Sequence, residues 1–240
     1  MMLQQILAAG GDRNPLTEIA IPIVVALLLI VGIPVWLTQR HKGKVKQRSS
    51  NTAAWAAANG FTYEPEKPDL VGRWNGYPFG RGWKRQVADY LAGQHRGLLC
   101  IAFEYRWEEN DQDQVSTHRY TICATPLPKA LPDLTLGAES TLPGPLKRLA
   151  GKDIQLGQPE FDQAWKVGGD EAFARALLPG PVMALLMSPG FPRFNFTIQG
   201  NDLLIATPRA LDPAVLPERF DALAALAQAI PPQVWDTWGR

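Results

Sequence analysis

Residues 19–39, IAIPIVVALLLIVGIPVWLTQ, run for 21 positions without a charged side chain. At 1.5 Å per residue this is about 31 Å of helix, close to the roughly 30 Å hydrocarbon core of a bilayer. A soluble core helix rarely needs so long an uncharged run, so the pattern predicts a transmembrane helix. A cleaved signal peptide fits less well. Asp12, Arg13 and Glu18 give no positive cluster in front, the apolar run is long, and no small-residue cleavage motif follows. Pro22 falls in the first turn, where a missing N–H costs little, and Trp36 falls where an interface favours an amphipathic ring.

Orientation follows from the flanks. Arg13 is the lone cation before the run, whereas Arg40, Lys42, Lys44, Lys46 and Arg48 follow it within nine residues. The excess of Lys and Arg marks the cytoplasmic side. The expected organisation is an extracytoplasmic tail over 1–18, a span over 19–39, a basic juxtamembrane segment over 40–48, and a cytoplasmic domain over 49–240. The five cations serve as the topology signal and also suit anionic lipid headgroups.

Residues 49–240 carry a net charge of −3, so the basic excess belongs to the anchor. The two cysteines exclude a disulfide scaffold and a four-cysteine zinc site. With 46% hydrophobic residues and 8 Trp, the chain can bury a core.

The residue pattern predicts the following elements. Residues 49–59 read as an Ala-rich helix around Trp55, closed by Gly60, and 61–64 as a strand. Over 98–107 apolar side chains occupy odd positions, Leu99, Ile101, Phe103, Tyr105 and Trp107. This is the alternation of a half-buried strand. After a polar turn over 108–114, residues 115–124 alternate again, so the two runs predict an antiparallel hairpin. The expected register sets Phe103 opposite Tyr120, Ile101 opposite Ile122 and Cys100 opposite Cys123. A strand over 87–92, joined by the 93–97 turn, extends the sheet. The Pro-rich stretch 126–145 reads as an ordered surface connection, because Leu127, Leu131, Leu134, Leu136 and Leu142 interleave with its prolines. Short strands are expected over 154–156 and 164–167. Asp170 should cap a helix to Leu178, and Pro181 should open another to Met187. Residues 194–198 and 203–206 around Gln199-Gly200-Asn201-Asp202 predict a second hairpin. A last helix begins at Asp212-Pro213 or Pro217, buries Phe220, Leu223 and Leu226, and ends at Pro231-Pro232. Strands and helices do not alternate strictly. The fold class expected is therefore α+β, a transmembrane helix followed by a mainly antiparallel sheet with packed helices.

Residues 53–231 resemble an uncharacterised family of bacterial single-pass membrane proteins that carry a cytoplasmic domain of unknown function. The likeness lies in Pro78-Phe79-Gly80-Arg81-Gly82, Ile101-Ala102-Phe103-Glu104-Tyr105, residues 161–167 and 170–178, and Gly200-Asn201-Asp202-Leu203-Leu204. The resemblance implies an inner-membrane location and supplies no catalytic residue.

No G-x-x-x-x-G-K-[ST], H-E-x-x-H, C-x-x-C or G-x-S-x-G occurs in the sequence. His41 lies in the basic run, His95 in a turn and His118 on the apolar face of a strand. A hydrolytic or metal site would need His118, Glu104 and a cysteine to converge. Strand parity puts Glu104 and Cys100 on the face opposite His118. Cys100 and Cys123 share a face, either as two small side chains or as a redox pair.

The most suggestive segment is 72–85. It holds Arg73, Arg81, Lys84 and Arg85 among Trp74, Tyr77, Phe79 and Trp83. Arginine forks and glycine-exposed N–H groups suit anions, and aromatics among cations suit headgroups. Equally, it reads as a glycine-rich connection whose aromatics cover the core. The headgroup-binding set expected is Arg73, Trp74, Arg81, Trp83, Lys84 and Arg85. The sequence thus predicts a membrane-tethered, non-catalytic interaction or accessory module without cofactor, catalytic residue or metal site. Its expected partners are membrane lipids and a protein, not nucleic acid. The alternative is a membrane-anchored, hydrolase-like enzyme.

Overall fold

The computed structural model describes residues 47–111, 114–138 and 153–240. The chain divides into two units, residues 1–50 and 51–240. The expected span over 19–39, and with it Arg40, Lys42, Lys44 and Lys46, lies outside the described residues. Arg48 is helical and forms an interaction of its own. Among the described residues no helix is long and apolar enough to cross a membrane.

In the second unit a helix, α1 (51–58), is stopped by Gly60 at a positive φ of 73°. Then β1 (Thr62–Glu66), β2 (Trp83–His95), β3 (Leu98–Asp111) and β4 (Gln114–Ala138) follow as consecutive antiparallel neighbours. Short helices α2 (Pro159–Ala164), α3 (Glu171–Leu177) and α4 (Gly180–Met187) surround β5 (Trp165–Gly169) and precede β6 (Phe196–Thr207). Helices α5 (Leu216–Ala229) and α6 (Pro232–Thr237) close the fold. The class is α+β with a mainly antiparallel sheet, as the sequence predicts.

Strand β4 organises everything. Its first half pairs with β3 and its last residues, 134–138, with β5, while β6 pairs along both halves. The ladder to β6 slips between Pro126 and Leu131 and again before Leu134, where Pro126, Pro128 and Pro132 lack ladder donors. The stretch expected as a surface connection is therefore, over 126–138, a kinked strand that buries Leu127, Leu131, Leu134 and Leu136. Arg240 exchanges two backbone bonds of 3.2 and 3.0 Å with Ala130 inside that kink.

Three other expectations change. The β3–β4 ladder runs on to Asp111↔Gln114, because the polar residues 108–111 continue the strand past the core. The register therefore shifts by two: Phe103 faces Ile122, Tyr105 faces Tyr120, and Cys123 faces Ala102 rather than Cys100. A two-residue slip keeps every side chain on its predicted face. Second, no hairpin forms at Gly200. β6 is one strand whose two halves share the partner β4, with Gly200 at φ 59° where β4 bulges. Third, residues 154–156 are not a strand, although Ile154 N–H donates to the Val167 carbonyl at 2.9 Å.

Both sheet faces are covered. Helices and an aliphatic core with Phe161, Trp165, Phe173 and Phe220 cover one; Cys100, Ala102 and Cys123 point into it. Trp74, Phe79, Phe103, Tyr105, Trp107 and Tyr120 form an aromatic core on the other, under the 68–82 segment. So β3 is buried on both sides rather than on one. The Asp170 carboxylate caps α3 by accepting from Phe173 N–H at 2.8 Å. Leu216, Phe220 and Leu223 form the buried stripe of α5, and Pro231-Pro232 both ends that helix and opens α6.

Candidate functional site

The 72–85 segment is braced from within. Asp202, only 2% exposed, accepts the Arg73 fork at 2.9 and 3.1 Å and the Trp74 Nε1–H at 2.9 Å. Trp74 is itself 2% exposed and stacks on Phe103 with ring centres 5.5 Å apart. Gln199 clips the Asn75 backbone, and the Tyr77 and Tyr120 hydroxyls meet at 2.6 Å. A Cβ on Gly82 would lie 2.0 Å from the Glu108 carbonyl oxygen, so this glycine serves close packing against β3.

The sequence-predicted cations divide accordingly. Arg73 belongs to the brace. Arg81 pairs with Glu109 and Lys84 with Glu108, each at 2.8 Å on the surface. Such exposed pairs contribute about 0–1 kcal/mol each. Arg85 is exposed and makes no ion pair among the described residues; Trp83 is 40% exposed. Trp74 faces the core, so it is the outer end, Arg81, Trp83, Lys84 and Arg85, that meets solvent. The partners Glu108, Glu109 and Asp202 were not visible as such in the sequence. Asp202 carries a turn-like signature, and only the folded ladder shows it pointing inward.

His118, Glu104 and the cysteines do not converge. His118 stacks on Trp107 at 5.0 Å on the aromatic face. Glu104 is fully buried on the helix face. It accepts the Leu211 N–H at 3.0 Å and the Arg106 guanidinium, with Arg119 at 3.7 Å. Asp89 accepts the Tyr63 hydroxyl at 2.8 Å and lies 3.6 Å from Arg106, which thus joins two buried carboxylates. Burial pushes the Cys100 and Cys123 thiols up to about 12, which keeps both as unreactive thiols. Among the described residues no group of three His, Cys, Asp or Glu is placed to hold a metal.

A second feature lies at the β2–β3 turn. Arg96 and Gly97 adopt φ 48° and 79°, a two-residue hairpin turn. Asp221 of α5 accepts from Arg96 Nε and meets His95 Nε2 at 2.6 Å. The bond from Arg96 holds the Asp221 carboxyl below the usual carboxylate range; burial, next in size, opposes it, and the bond from His95 adds a smaller lowering. Beside this triad opens a groove of about 590 Å³, walled by Arg96, the Ser188–Pro192 loop and the Glu218–Ala225 side of α5. Nothing in the residue pattern points to it beyond His95 in a turn, because its walls come from three distant segments.

Fold and site together define an α+β module: a kinked antiparallel sheet roofed by a braced loop on one side and by helices on the other. No protein-family model and no curated protein matches the chain. Among solved structures, the crystal structure of the mycobacterial trehalose monomycolate transport factor A, TtfA, is similar with a TM-score of 0.54 and 18% identity. The match covers 77% of this chain and 96% of that one. The likeness is one of fold.

Proposed function

We propose that this chain is a membrane-tethered, non-catalytic accessory module with its α+β domain in the cytoplasm. The observation that carries the reading is the 21-residue uncharged run followed by five cations, placed directly before an independently cored domain. The fold likeness to a protein named as a transport factor supports an accessory role in transport, exercised on a protein partner at the membrane. The juxtamembrane Arg40, Lys42, Lys44, Lys46 and Arg48 contact anionic headgroups in this reading. The outer end of the 72–85 segment, with Trp83, Lys84 and Arg85 at the start of β2 beside Arg81, adds a weaker contact of the same kind.

Protease added to intact spheroplasts should leave residues 49–240 uncut, with a cytoplasmic control equally intact. Digestion of the domain while the control survives would reverse the topology. Release of the protein from membranes by alkaline carbonate would remove the tether altogether. Replacing Arg81, Lys84 and Arg85 by Gln should lower cross-linking of the full chain to photoactivatable anionic lipid without moving its Tm. Unchanged cross-linking would confine lipid contact to the juxtamembrane segment.

A further inference from the structure

The groove at the Arg96 turn holds hydrogen-bonding capacity that the fold does not use. His95 Nε2 and Arg96 Nε both converge on Oδ1 of Asp221. Among the described residues, Oδ2 of that carboxylate and both terminal nitrogens of Arg96 carry no hydrogen bond, and the Glu218 carboxylate carries neither hydrogen bond nor ion pair. Ser188 donates to the Leu185 carbonyl at 2.7 Å and keeps its acceptor lone pairs. Around these polar atoms the lining is apolar: the Phe191 ring, backed by Phe196 at 6.0 Å, and Ala222 and Ala225 on the α5 side. The frame is firm. Positions 218, 221, 222 and 225 share one stripe of α5, and the Arg96 carbonyl is tied to Gln228 at 3.3 Å.

We propose that this groove binds a neutral carbohydrate, one or two sugar rings in size. Charge decides against the simpler ligands. A phosphate or other anion meets two carboxylates, only one of which Arg96 already balances. A simple cation meets the guanidinium face. A sugar hydroxyl is donor and acceptor at once, so a vicinal diol donates to Glu218 or Asp221 Oδ2 while accepting from Arg96. The C–H face of the ring packs on Phe191. The volume falls within the roughly 300–1,000 Å³ typical of small-molecule sites. The site is read from the domain alone, so its failure leaves the tether reading standing, and the reverse holds.

The test uses the full chain in lipid nanodiscs and saturation-transfer NMR with maltose, cellobiose and trehalose. Inorganic phosphate and a quaternary amine, glycine betaine, serve as competitors. At least one disaccharide should show transfer to its ring protons, undiminished by equimolar phosphate or betaine. Glu218→Ala breaks no hydrogen bond or ion pair among the described residues, and should cut that transfer at least fivefold while lowering the Tm by no more than about a degree or two, the share of a first-turn carboxylate. Arg96→Gly, which suits the positive φ, should cut the transfer likewise, with a Tm lower by about a degree or two from the lost Arg96–Asp221 pair. If Arg96→Gly unfolds, Glu218→Ala alone decides. No transfer from any disaccharide, equal transfer in Glu218→Ala, or displacement by phosphate or betaine overturns the proposal.

Discussion

The two faces of the sheet solve burial differently. On the aromatic face a loop whose regular structure is one 3-10 turn, Pro68–Leu70, covers β2, β3, β4 and β6, and its buried charged anchor is Asp202, gripped by Arg73 and Trp74. On the helix face α3, α4 and α5 bring their own apolar stripes, and the buried charges sit within and beside the aliphatic core. A loop cannot satisfy its backbone internally and has no repeating apolar stripe, so it needs specific polar anchors. A helix needs none, and can carry a buried cation such as Arg219 at a cost. The loop face should therefore depend on a few residues and the helix face on many.

The sharpest way to break the comparison is Phe103→Ala. The ring is fully buried between the sheet and Trp74, so truncation should cost about 3–5 kcal/mol in urea unfolding. A loss under 1 kcal/mol would show that the loop is not packed on this ring. Next comes Asp202→Ala, which strands the Trp74 indole N–H and the Arg73 fork. The expected loss is about 2–3 kcal/mol, with a red shift in tryptophan emission as Trp74 meets water. Asp202→Asn should recover part of it by keeping an acceptor. Equal stability of Asp202→Ala and the parent would mean that the loop stays down without its anchor.

Arg219 tests the other face. It is 4% exposed, bonds the Val215 carbonyl at 2.9 Å and lies over the Phe194 ring, yet its Nε has no partner and it makes no ion pair among the described residues. Replacing a poorly compensated buried charge by a hydrophobe of similar length is often neutral or stabilising. Arg219→Met should therefore raise stability by about 1 kcal/mol, read from the urea midpoint at unchanged m. A loss of more than 1 kcal/mol would show that the guanidinium is fully satisfied on folding.

The same contrast explains what the sequence made legible. Alternation over 98–107 and 115–124 disclosed two strands and their faces, because side-chain direction is local. The register was missed by two residues, because polar residues continued the ladder beyond the core. The Asp170 cap and the α5 stripe were local signals and were readable. The kink in β4 was not: Pro126, Pro128 and Pro132 argue against a strand, and only pairing with β6 on one edge makes a strand there tolerable. Asp202 reads as part of a turn from its neighbours Gly200 and Asn201, and only pairing with β4 places it within a strand. The groove was the least legible, since Arg96, Ser188 and Glu218 meet only after the sheet and α5 have packed.

The smallest expected effect lies at the rim of that groove and separates local bracing from face-wide packing. Asp221 accepts from Arg96 and His95, and the Arg96 bond, followed by that of His95, depresses its pKa below the ordinary 3.8. A depressed carboxylate contributes stability that is fully present above the unfolded-state value and fades as pH falls through the folded one. The Tm of the parent should therefore exceed that of Asp221→Asn at pH 5–6, and the gap should close on titration downward from about pH 4. Because the carboxylate is 42% exposed, screening keeps the gap to a degree or two, and 1 M salt should shrink it. Phe103→Ala should instead show a deficit that neither pH nor salt narrows. If the Asp221→Asn gap stayed constant down to pH 3, the Arg96–Asp221 contact would contribute packing rather than charge, and the turn would be held as the rest of the helix face is, by shape.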